Sequence, residues 1–103
     1  MNFRALEEDP SEPLVQAQLG YCYYNLGAFE QAEEHLRKTK QLEPGHFSSP
    51  QLLLADIYWR RHDLEAGVRE LEEFLRLHPD SKQKDAVLTV LQEMKSRQQG
   101  TSP

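Results

Sequence analysis

Four histidines and one cysteine are the residues of this chain best suited to chemistry. His35, His46, His62 and His78 are candidate metal ligands or general bases, and Cys22 is a candidate nucleophile. A zinc site built on one helix needs two histidines four residues apart, so that both rings share a face. No pair of these histidines has that spacing. His62 and His78 instead fall at the C-terminal ends of helical segments, where a cation is mildly favoured. Cys22 lies in the apolar series of its helix and reads as a small core residue. No serine sits in a nucleophile-elbow pattern, and no glycine-rich loop would cradle a phosphate. The expectation is therefore a non-catalytic chain with no cofactor and no metal.

Aromatic residues are the other unusual feature. The stretch QAQLGYCYYNLGAFEQAEEHL, residues 16–36, places Tyr21, Tyr23 and Tyr24 within one helix that already has its own leucines. One amphipathic stripe accounts for Tyr23, which follows Leu19 by four residues. Residues two apart on a helix point about 200° away from each other, so Tyr21 and Tyr24 face elsewhere, together with Ala17 and Asn25.

The elements that position these side chains are read from punctuation and period. Pro10, Pro44 and Pro79 each close an apolar-and-charged stretch, at spacings of 34 and 35 residues. A period in that range points to a repeat architecture. Between the prolines, apolar residues recur every three or four positions: Val15, Leu19, Cys22, Tyr23, Leu26, then Phe29, Ala32, Leu36, Leu42, and in the next unit Leu54, Ile57, Tyr58, Leu64, Val68, Leu71, Leu75. No useful length alternates with period two, so strands are not expected. Helices are predicted over 2–8, 13–27, 29–43, 50–62, 64–78 and 81–97. Ser11, Ser49, Asp63 and Asp80–Ser81 are placed to cap them, with Pro13 and Pro50 in first turns.

Composition narrows the function classes. Hydrophobic content of 38% against 28% charged residues is that of an ordinary soluble globular protein. A net charge of −5 disfavours general binding to phosphate backbones. No apolar run reaches the roughly 18 residues of a membrane span, and none near the start has signal-peptide length. The chain is thus read as soluble and cytoplasmic by default, with no nucleic-acid or membrane partner. A single cysteine allows no internal disulfide and does not indicate a compartment.

At this point the sequence resembles the tetratricopeptide repeat family. The family pattern runs from a Trp slot through Leu-Gly, Tyr, Ala and an aromatic or Leu to a final Pro. Gln16, Leu19, Gly20, Tyr23, Ala32, Leu36 and Pro44 fill the slots of one unit, and Gln51, Leu54, Ala55, Tyr58, Gly67, Leu71 and Pro79 those of the next. The bulky Trp anchor is replaced by Gln twice, and one extra residue enters at GHFSSP. The resemblance implies an all-α, right-handed superhelix of antiparallel helix pairs. Residues 1–10 would be the end of a preceding repeat, 13–46 and 48–80 two full repeats, 81–98 a C-terminal capping helix and 99–103 a disordered tail. A chain opening in mid-repeat reads as a piece of a longer protein, similar in style to bacterial members. Phe3 and Leu6 are expected against helix 13–27, and the cap's apolar face, Ala86, Val87, Val90, Leu91 and Met94, against Leu71, Phe74 and Leu75. The acidic pairs at 33–34 and 72–73 are expected to be solvated outer faces.

In this family the first helix of each pair lines the concave wall. The resemblance therefore implies a peptide-binding groove containing Tyr21, Tyr24, Asn25, Leu52, Asp56, Trp59 and Arg60. Tyr and Trp would be the anchors there, and Asp56 with Arg60 either a polar selector or a plain i,i+4 ion pair. A protein or peptide segment is the implied partner, with the module a monomer or weak homodimer. The family's clamp for a C-terminal carboxylate is not expected, because its Lys and Asn slots hold Ala17, Tyr21 and Leu53, and the Lys and Arg slots of a third unit hold Gln83 and Val87. The alternative is a structural spacer or self-association element, using apolar surface around the opening segment.

Overall fold

The computed structural model describes residues 12–99. The expected opening helix at 2–8, with Phe3 and Leu6, and residues 100–103 of the tail lie outside them. The described residues form five helices: α1 Pro13–Asn25, α2 Phe29–Leu42, α3 Pro50–Arg60, α4 Leu64–Leu77 and α5 Lys84–Gln98. Among the described residues there is no strand. The fold is all-α: α1 pairs with α2 and α3 with α4 through short turns, α2 packs on α3, and α5 packs on α4.

The two turns inside the pairs share one device. In the first, the Gly27 amide donates to Tyr24 O at 3.0 Å and the Ala28 amide to Tyr23 O at 2.9 Å. In the second, His62 donates to Trp59 O at 3.0 Å and Asp63 to Tyr58 O at 2.9 Å. These are paired Schellman bonds, which need a left-handed residue just past the helix. Gly27 supplies it at φ 77° and His62 at φ 62°. This is why α1 and α3 stop two residues short of the expected 27 and 62. The Asp63 side chain then caps α4, accepting from the Ala66 amide at 3.3 Å. Ser49, expected to cap α3, sits at φ 53° and makes no cap bond. At α1 the cap position is Glu12, again without a side-chain bond. The last helix starts at Lys84 rather than 81, because Ser81 closes a turn, its Oγ accepting from the Gln83 amide at 3.1 Å.

Packing follows the small residues, with one difference from expectation. A Cβ on Gly20 would lie 2.8 Å from Leu36 Cγ, so the glycine is what admits the fully buried Leu36. In the second unit the glycine is on the other helix of the pair. A Cβ on Gly67 would meet Met94 Sδ at 3.1 Å, and the Ala55 carbonyl only at 3.6 Å. Gly67 therefore makes room for α5 more than for its own partner α3. The largest core cluster reflects this, joining Ala55, Val68, Leu71 and Phe74 to Val87, Leu91 and Met94 of α5. A second cluster unites Ala32 and Leu36 with Leu54, Ile57 and Tyr58 across the junction between the pairs.

The glutamines in the Trp slots are buried polar ties. Gln16 meets His35 Nδ1 through its Oε1 at 2.7 Å. Gln51, fully buried, donates from Nε2 to Pro44 O at 2.8 Å and to Glu73 Oε1 at 2.9 Å. Lys40 of α2 bridges to Glu70 at 2.8 Å and Glu73 at 3.3 Å on α4. Glu73 and Glu33 are thus corrections to the reading of solvated acidic faces. Glu33 accepts from the Tyr58 hydroxyl at 2.8 Å and pairs with Arg61 and Arg37. Burial works to raise its pKa, but the hydrogen bonds from Arg61 and Tyr58 outweigh it and hold the carboxyl below its usual value. Glu70 goes the other way: burial raises it despite the Lys40 ammonium.

Two outcomes are expected. His62→Gly should stabilise the fold by about 0.5–1 kcal/mol, since only glycine enters the left-handed region freely, and Gly27→Ala should destabilise it by about 1 kcal/mol; thermal melts of both variants check this. The second concerns pH. Burial, the largest influence, lowers the pKa of His35 below the ordinary 6.5, with Glu34 opposing and Lys38 adding to it. The folded chain then binds fewer protons than the unfolded one below about pH 6.5. The stability contributed by neutral His35 is complete above that value and lost as pH falls through it. The drop in Tm between about pH 7.5 and 5.5 should be smaller in His35→Gln than in the parent chain.

Candidate functional site

The groove-forming side of the molecule is built by helices whose opposite faces are committed to the core. On α3, Leu54, Ile57 and Tyr58 are buried towards α2, and Ala55 towards α4 and α5. Leu52, Asp56 and Trp59 remain for the other side. On α5, Val87, Leu91 and Met94 dock on α4, leaving Ala86, Thr89, Val90 and Glu93 turned towards α3. Because α3 and α5 both lie against α4, a groove opens between them. Its volume is about 620 Å³, and its apolar surface comes from Leu52, Ala55, Trp59, Val87, Val90 and Met94. This is within the range of ligand sites in proteins.

The seven expected groove residues do not all meet there. Leu52, Asp56 and Trp59 line this groove. Tyr21 is 57% exposed but belongs to a separate hollow of about 370 Å³, with Leu14, Ala17, Gln18, Cys22, Phe47 and Ser48. Ala17, expected on an outward face, is buried. Asn25 is exposed at the end of α1 and lines neither hollow.

Tyr24 and Arg60 are tied to the scaffold. The Tyr24 hydroxyl donates to Asp56 Oδ2, and its ring meets Phe29 edge-on at 5.6 Å. The hydrogen bond to Asp56, with burial behind it, raises the Tyr24 pKa. Arg60 Nε donates to the same oxygen at 2.9 Å while its guanidinium sits 5.2 Å above the Phe29 ring. The i,i+4 pair of Asp56 and Arg60 is therefore one part of a bridge from α1 to α3, and Arg60 stands behind the groove wall. Trp59 has a comparable neighbour: Arg97 lies 5.3 Å over its ring and donates from Nε to Glu93 Oε1 at 2.8 Å.

The α5 wall was not foreseen, since α5 was expected only to cover the last pair. Ala86 and Val90, expected on its docking face, line the groove instead, because that apolar face is wider than the Val87–Leu91–Met94 stripe that α4 covers, and Val90 remains 43% exposed. Phe47, 78% exposed in the loop between the pairs, was also missed. The histidines and cysteine stay apart. His46 is buried, its Nδ1 accepting from the Ser48 amide at 3.2 Å, and Tyr23 stacks on His35 at 5.5 Å. Among the described residues no group of three or more His, Cys, Asp or Glu is placed to hold a metal ion, and no helix is long and apolar enough to cross a membrane.

Comparison with known families supports the same architecture. The family profile described as Tetratricopeptide repeat matches residues 4–57, which takes in α1, α2 and most of α3. No curated protein matches the chain. The match covers more than half of the sequence, the two helix pairs repeat one turn geometry, and small residues sit where neighbouring helices approach; this chain belongs to the tetratricopeptide repeat family.

Proposed function

We propose that this chain is a non-catalytic interaction module that holds a segment of another protein in the groove between α3 and α5. Tetratricopeptide repeats are in general protein-interaction modules. The observation that carries the more specific reading is the groove itself: an open, apolar channel of about 620 Å³ with the chain's one tryptophan in its wall. Exposed apolar surface of this kind is what partners cover, and a half-buried Trp is a favoured anchor. Leu52, Trp59 and Val90 supply contact area, and Asp56 and Glu93 the polar edge. Tyr24 and Arg60 contribute by fixing Asp56. Tyr21 and Asn25 are removed from this channel, and contact them only if the bound segment extends along α1. A single short groove gives a small interface, for which micromolar affinity is the expectation.

A lysine at Val90 places a charge in the channel at a position already open to water, and one at Leu52 does so on the facing wall. Partners captured by the parent chain should fall at least about tenfold in recovery with Leu52→Lys/Val90→Lys when compared by quantitative mass spectrometry, with Val90→Lys alone as the control that leaves the packing of Leu52 against the core intact. Equal recovery by both proteins removes the groove from the account.

A second reading, self-association, has its own observation. Leu14, Tyr21 and Phe47 are 45%, 57% and 78% exposed around one hollow. If this patch joins two copies, light scattering over a concentration series will show the mass double, and Phe47→Ser will abolish the doubling; a monomer throughout excludes it.

A further inference from the structure

The lining of the α3–α5 groove also restricts what kind of segment it accepts, provided that the groove is the binding site. A peptide group moved onto an apolar floor must keep hydrogen-bond partners, or the burial costs several kcal/mol. Both walls are helices, whose interior amides and carbonyls are already bonded along the helix, so there is no strand edge to pair with an extended ligand. Side chains offer little in its place. Gln83 is the one side-chain amide among the lining residues, and it stands at the beginning of α5. Thr89 already directs its hydroxyl proton to Asp85 O at 3.1 Å. An extended backbone laid across Leu52, Ala55, Trp59 and Val90 would lose its water without finding replacements. A helix brings its backbone bonds with it and presents only side chains.

Charge narrows the class further. One carboxylate lines each wall, Asp56 on α3 and Glu93 on α5. Each gives a single oxygen to the arginine one turn on: Asp56 Oδ2 accepts from Arg60, and Glu93 Oε1 from Arg97. Tyr24 also bonds to Oδ2, so Asp56 Oδ1 and Glu93 Oε2 keep their acceptor capacity. Arg60 is held over Phe29 and Arg97 over Trp59, and neither arginine is among the lining residues. The chain as a whole carries −5. We propose that the α3–α5 groove takes a basic amphipathic helix of a partner protein, its apolar stripe on the floor and a lysine or arginine on each flank reaching Asp56 and Glu93.

Trp59 makes this measurable, because it is the one tryptophan in the chain. Three tryptophan-free peptides of about 18 residues, long enough to be helical, serve as probes. The first has a leucine stripe at i, i+3, i+4 and i+7 with lysine flanks. The second has the same stripe with glutamate flanks, and the third is the lysine peptide with two central prolines. The lysine helix should change Trp59 emission saturably. The glutamate helix should bind about tenfold more weakly at low salt, the scale of two partly exposed ion pairs, and the proline peptide should not saturate. Asp56→Asn/Glu93→Gln should bring the two helical peptides within about threefold of each other. Equal binding by the proline peptide overturns the helical ligand while leaving the groove as a binding site. Equal binding by the lysine and glutamate helices overturns the basic one. If no peptide alters Trp59 emission, the groove reading falls with the proposal.

Discussion

Each helix pair in this protein has more apolar surface than its own two helices can cover. That constraint shapes everything else. Leu54, Ile57 and Tyr58 of α3 share one buried cluster with Ala32 and Leu36 of α2, and Leu71 and Phe74 of α4 share another with Val87, Leu91 and Met94 of α5. Stability in such an arrangement is close to a sum of pair and junction contributions. The closest approaches are therefore where single atoms matter. Gly20 admits Leu36 within the first pair, and Gly67 admits Met94 from the last helix. Glycine in the first-helix slot thus serves packing within a pair in one unit, and glycine in the second-helix slot serves packing against the following helix in the other.

Polar groups reinforce these junctions where the family pattern would place a tryptophan. Gln16 and Gln51 are buried, yet each ends on a named partner, His35 in one case and Pro44 O with Glu73 in the other. Lys40, Glu70 and Glu73 then join α2 to α4, and Glu33 with Tyr58, Arg37 and Arg61 joins α2 to α3. Such networks are sensitive to the loss of one member, because the remaining charge is left short of water. They also fix direction: a hydrogen bond tolerates less sliding than an apolar contact. The opposite pKa directions of Glu33 and Glu70 show how finely neighbours decide the outcome. Two guanidiniums and a hydroxyl overcome burial at Glu33, while one ammonium does not at Glu70.

The groove between α3 and α5 is a by-product of covering α4. Two helices resting on the same neighbour leave a channel between them, floored by the edge of the shared core and the residues beside it. Here those residues are apolar, with a carboxylate on each wall. The walls are stiffened from outside, by Tyr24 and Arg60 on Asp56 and by Arg97 on Glu93 and over Trp59. Side chains already held in place lose little freedom when a ligand arrives. The same logic separates Tyr21 from the channel, since α1 faces a different hollow beside the exposed Phe47.

Residue periodicity determined the helices and the Val87–Leu91–Met94 stripe of α5, and the resemblance to a repeat family supplied their pairing. The 34- and 35-residue spacings of Pro10, Pro44 and Pro79, the glycine and alanine slots and that stripe are local patterns, and a helix displays its neighbours' demands at intervals of three and four. Helix ends were read less well. Ser49 looks like a cap by type, but a cap bond depends on backbone angles set by its surroundings, and Ser49 is turned to φ 53°. Leu52, Asp56 and Trp59 share one face, which follows from a single helix. The ties of Tyr24, Arg60, Glu33 and Glu73 are not legible in that way, since their partners lie 22 to 32 residues away or are shared with such a residue. That Gly67 opens towards α5, and that α5 forms a groove wall, are matters of three helices meeting at once. No single helix encodes them, so only the tertiary structure decides them.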